Sequence, residues 1–88
     1  MKNGEFLIVN KLGLHARASA LFVKTASRFA SEVRIGRDDV EVNGKSIMGI
    51  MMLAAAKGTT VRLTVEGPDE DDAFTELSDL IRNGFGEE

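Results

Sequence analysis

His15, Arg17 and Ser46 are the residues of this 88-residue chain whose types and neighbours point to chemistry. His15 is the only histidine. In the stretch GLHARASA it stands between Gly13 and an alanine-rich run with the composition of a helix start. A helix beginning at Ala16 makes His15 its N-cap, a position that serine, threonine, aspartate or asparagine fills better. The backbone N–H groups of a first helical turn have no partner within the helix and form an anion site. A phosphoryl group on a ring nitrogen of His15 would be held there, with the Arg17 guanidinium as a charged donor to its oxygens. The same positive helix end disfavours a protonated ring, so His15 is expected to be neutral and nucleophilic near neutral pH.

Composition narrows the setting in which such a histidine works. A chain of 88 residues, 43% hydrophobic, suits one compact domain spanning 1–88 and leaves no room for a deep substrate cavity. A net charge of -3 argues against a general nucleic-acid binder, which needs a dense basic face. The absence of cysteine and the lone histidine rule out thiolate and histidine-rich metal sites, so no metal and no cofactor is expected. No apolar run approaches the roughly 20 residues of a membrane span, and MKNGEFLIVN lacks the features of a signal peptide. The expected setting is the cytoplasm, away from membranes, and the expected state is a monomer.

The elements that must position these residues are readable from periodicity. Glu5–Asn10 is a short apolar run expected to be a buried strand. Ala18, Leu21, Phe22, Ala26 and Phe29 fall at helical spacing. Ser31–Ile35 alternates, with Val33 and Ile35 on one face, and Val40–Val42 repeats the pattern after a turn placed at Gly36–Asp39, so the two form a hairpin. The segment SIMGIMMLAAAKG predicts a short helix with Ser46 as N-cap and Gly58 as C-cap. Thr60–Glu66 alternates as a strand. The acidic run Asp69–Asp72 opens a last helix that buries Ala73, Phe74, Leu77, Leu80 and Ile81 and stops at Asn83-Gly84. The tail Gly86-Glu87-Glu88 is expected to fray. The order is β-α-β-β-α-β-α, an α+β fold in which helices cover one face of a mainly antiparallel sheet.

Ser46 and the residues after it carry a second signal. As an N-cap, Ser46 has a structural role of its own, and a phosphate there would meet the favourable end of a helix dipole. Ile47, Met48, Met51 and Met52 exceed what a two-turn helix needs for one buried stripe when Ile50 and Leu53 face the core. Some of them must face outward, and methionine suits a surface that meets several partners because its side chain repacks easily.

GLHAR before a helix, together with GKSIMGIMMLAAAKGT, resembles the two signature regions of the phosphocarrier protein HPr family of the phosphoenolpyruvate-dependent phosphotransferase system. The similarity of element order covers nearly the whole chain. The resemblance implies an open-faced β-sandwich of four antiparallel strands and three helices. It implies a carrier without turnover of its own, in which His15 takes a phosphoryl group at Nδ1 from phosphoenzyme I and passes it to a histidine of an enzyme IIA, assisted by Arg17. Ala16, Ala20, Ile47, Met48 and Met51 would then surround His15 and dock enzyme I and enzyme IIA, and Ser46 matches the serine that an HPr kinase modifies in many bacteria. One departure is Ala18, where the family pattern has proline; alanine adds a free N–H near the anion site. Two alternatives stand beside this reading. NKLGLHAR and the closing NGFGEE also resemble the nitrogen-related regulatory branch, which has no role in sugar uptake. A passive binding module, with His15 idle, is the other.

Overall fold

The computed structural model describes residues 1–87. Its elements run β1 (Lys2–Leu7), α1 (Ala16–Ala26), β2 (Glu32–Arg37), β3 (Val40–Asn43), α2 (Ile47–Met52), β4 (Thr60–Glu66) and α3 (Glu70–Arg82), followed by a single 3-10 turn at Gly84–Gly86. The four strands form one antiparallel sheet in the order β1-β4-β2-β3. This is the open-faced α+β arrangement and the element order expected from the sequence.

Strand alternation builds the two faces. Val33, Ile35, Val61, Leu63 and Val65 turn inward and are fully covered, while Glu32, Arg34 and Glu66 lie on the other face in solvent. The inward residues join Ala18, Phe22 and Ala26 of α1, Ile50 of α2 and Ala73, Leu77 and Ile81 of α3 in one buried cluster. Burying side chains of this size stabilises a fold by roughly 1.5–3 kcal/mol each relative to exposure. Phe74 and Leu80 pack against the cluster while remaining partly exposed.

Several boundaries differ from the periodicity. The first strand is Lys2–Leu7, not Glu5–Asn10, because β4 supplies backbone partners from Val65 back to Thr60 whatever the side chains opposite. The apolar residues at and just beyond its end alternate, with Phe6 and Ile8 buried and Leu7 and Val9 exposed. Helix α1 ends at Ala26, and Phe29 follows in a tight turn closed by Arg28 N donating to Thr25 O and Phe29 N to Ala26 O. Leu21, assigned to the buried stripe, is 37% exposed. Gly36 and Arg37 extend β2, so the hairpin turn contracts to Asp38-Asp39, with Asp38 at φ 51°. Val40 lies on the uncovered edge strand and is exposed.

Helix α2 stops at Leu53, five residues before the expected glycine cap. Ala54 takes the left-handed φ of 49° that a glycine cap usually supplies and donates its N–H to Met51 O, while Arg37 reaches across from β2 and donates to the carbonyls of Leu53 and Ala54. Gly58 instead donates its N–H to Ile8 O in the turn before β4.

Candidate functional site

The loop before α1 is built to present His15. Asn10 Nδ2 donates to Gly13 O at 2.7 Å and Gly13 N donates to Asn10 O at 3.1 Å, closing residues 10–13 into a tight turn. Gly13 has φ 63°, and a Cβ there would lie 2.3 Å from Ala55 O, so only glycine fits. Leu14 then donates its N–H to Ala55 O and buries its side chain. These contacts tie the turn to the segment that follows α2.

His15 is the N-cap of α1, with extended backbone and no capping hydrogen bond from its side chain. Its carbonyl accepts from Ser19 N, while the N–H groups of Ala16, Arg17 and Ala18 have no backbone acceptor among the described residues. The first turn holds no acidic side chain. Because Ala18 is not a proline, all three positions keep their donor. An anion beside the ring would therefore meet three free N–H groups and the positive helix end.

The imidazole is half-buried and lines an open cleft of about 580 Å³ with Lys11, Leu12, Ala16, Arg17 and Glu87. Arg17 is exposed and, among the described residues, makes no ion pair, so its guanidinium is free to turn toward an anion. The tail does not fray at Glu87. Its carboxylate reaches His15 Nε2 at 2.6 Å, and its other oxygen accepts from Asn10 Nδ2 at 3.0 Å. The Asn10 amide, then the His15 ring and the nearby Arg17 charge, hold the Glu87 carboxyl below the usual carboxylate range. Glu88 lies outside the described residues.

The path of the tail explains why Glu87 escaped the sequence reading. Gly84, Phe85 and Gly86 all have left-handed φ, at 61°, 58° and 72°, and Phe85 is buried in the core. The anchored ring and the two flanking glycines turn the chain back onto α1. The GFG motif was the available signal, an apolar side chain between two residues free to take positive φ.

Ser46 caps α2 as expected, its Oγ accepting from Gly49 N at 3.0 Å. Ile50 and Leu53 are buried, whereas Ile47, Met48, Met51 and Met52 are exposed. Met52 is the most exposed of these at 77%, and Leu12 beside the cleft reaches 67%. Helices α1 and α2 pack together, so the exposed Ala16 and Ala20 of α1 and the apolar residues of α2 lie on neighbouring elements. The structure thus brings His15, Ala16 and Arg17 to one cleft and sets Ser46 at the start of the adjoining helix.

Comparison with known proteins identifies the family. The family model described as the PTS HPr component phosphorylation site matches residues 2–83. The chain is 61% identical over 80 residues to the phosphocarrier protein HPr of Neisseria meningitidis, covering 91% of this chain and 90% of that one. It is 55% identical to the HPr of Pseudomonas aeruginosa over 94% of this chain and 93% of that one. Among solved structures, HPr from Thermoanaerobacter tengcongensis superposes with a TM-score of 0.96 at 52% identity, covering 100% of this chain and 99% of that chain. The chain belongs to the HPr family, the phosphocarrier proteins of the phosphotransferase system.

Proposed function

We propose that this chain accepts a phosphoryl group on His15 Nδ1 from phosphoenzyme I and passes it to a histidine of an enzyme IIA. The observation that carries this reading is the lone histidine at the N-cap of α1, open to solvent beside three unpartnered N–H groups and a free arginine. Glu87 engages Nε2, and among the described residues Nδ1 makes no hydrogen bond. A dianionic phosphoryl group there finds the donors already aligned, so little reorganisation accompanies its arrival. The protein is a carrier without turnover of its own: each phosphoryl group it takes leaves on a partner. In this reading it shuttles between partners in the cytoplasm as a monomer; among the described residues no helix is long and apolar enough to cross a membrane.

The docking surface in this reading is the exposed apolar set Ala16, Ala20, Ile47, Met48 and Met51, extended by Leu12 and Met52. Ser46 is the proposed regulatory site, modified by an HPr kinase where the cell has one. The motifs NKLGLHAR and NGFGEE support a second reading in which the same chemistry serves a nitrogen-related regulatory branch. The second reading differs in its output, which is regulation without a role in sugar uptake.

Incubation with enzyme I and phosphoenolpyruvate, followed by intact-mass measurement, tests the carrier reading. The wild type should gain one phosphoryl group, acid-labile and base-stable. His15→Ala should gain none and stay folded, since an N-cap contributes at most about 2 kcal/mol. An alanine variant that still accepts the group would sink the assignment.

A further inference from the structure

We propose that Glu87 is a positioning residue for phosphoryl transfer, its carboxylate holding the His15 ring with the proton on Nε2 and the lone pair on Nδ1. This rests on the carrier reading of His15. An ionised carboxylate has only acceptors, so a contact of 2.6 Å to Nε2 requires the ring to donate there. Asn10 keeps the carboxylate in place through its second oxygen, and Gly13 O holds the Asn10 amide in turn. Among the described residues no hydrogen bond engages Nδ1. The result is a chain of oriented groups, Asn10 to Glu87 to His15, in which a third residue orders the partner of the nucleophile.

The chain also suits the charge that transfer creates. The Nδ1 lone pair forms the new P–N bond as the donor's bond to phosphorus breaks, its electron pair returning to the donor's ring nitrogen. The proton on Nε2 stays where it is, so the His15 ring becomes cationic, and Glu87 faces that charge. In the onward step the P–N electrons return to Nδ1 and the ring is neutral again with the same proton in place. Lys11 and Arg17, the other charged groups lining the cleft, are cations that attract the incoming phosphoryl oxygens. Each site group therefore meets the charge it complements.

The test uses the full chain with ring-labelled histidine and two variants. Glu87→Gln keeps the shape and loses the charge; Glu87→Ala loses both. Nitrogen-correlated NMR of the unphosphorylated proteins should give a protected Nε2–H signal in the wild type that broadens away in Glu87→Ala. Single-turnover acceptance from phosphoenzyme I should fall about tenfold in Glu87→Ala and less in Glu87→Gln. Backbone amide spectra of all three report that the fold is kept. A wild-type ring protonated on Nδ1, ring spectra that do not distinguish the three proteins, or altered spectra with equal transfer rates would each overturn the proposal. A wild type that accepts no phosphoryl group would instead overturn the carrier reading, and this role with it.

Discussion

A planar guanidinium can bind two phosphoryl oxygens at once, and at Arg17 nothing among the described residues competes for it. Arg17→Ala should therefore slow transfer on the order of tenfold, the usual worth of a charged hydrogen bond formed at the reacting group. Arg17→Lys should fall between, since it keeps charge and loses the fork. Rapid-quench transfer rates check the order, and melting temperatures should stay level because the side chain is exposed. Equal rates for wild type and Arg17→Ala would make Arg17 a bystander. Of the residues in this cleft, His15 and Arg17 were legible because their signal is local: a glycine, a histidine and a helix start within a few positions. Glu87 was not, since it lies 72 residues away and reaches the ring only through a turn whose anchor, Phe85, depends on the finished core.

The short helix α2 separates capping from regulation. Its N-terminal donor at Gly49 is met by Ser46, and an aspartate can serve the same N–H while favouring the positive helix end. Ser46→Asp should keep or slightly raise the melting temperature, yet weaken transfer from enzyme I, because the new charge enters an exposed apolar surface that a partner must cover. The deficit should shrink at high salt if repulsion causes it. A variant that melts normally and accepts phosphate at the wild-type rate would leave Ser46 only its cap. At this scale the sequence was most legible where alternation was clean. Thr60–Glu66 was read with its observed bounds, as was the start of α1 after His15. The end of α2 was not, because Ala54, a residue type that rarely takes positive φ, holds the left-handed cap position assigned to Gly58, with Arg37 from β2 bonding the carbonyls beside it.

Stability of the whole molecule should carry an acid signature. Asp69, at the start of α3, accepts from Ser31 Oγ and from the N–H groups of Ala30 and Ser31, which together hold its carboxyl below the usual range, the Ser31 side chain most. Glu70 is held low by the N-terminal ammonium and by Gly67 N–H. A carboxyl with a depressed folded value binds its proton more readily in the unfolded chain, so its contribution is complete above the ordinary carboxylate range and is lost as pH falls through the folded value. Asp69→Asn should therefore lower the melting temperature at neutral pH, with the gap to wild type closing on acidification. Thermal melts from neutral to strongly acidic pH check this, and a gap independent of pH would remove the carboxylate as its cause. The sheet order has a kinetic counterpart. Strand β4 lies between β1 and β2 and is the last strand in the chain, so β1 waits for a partner some 60 residues downstream. On a ribosome, β1, α1 and the β2–β3 hairpin emerge before β4, with their apolar faces uncovered. The sheet that supports the His15 loop closes only after β4 is free of the exit tunnel, so the loop that carries His15 is made long before the sheet beneath it can form.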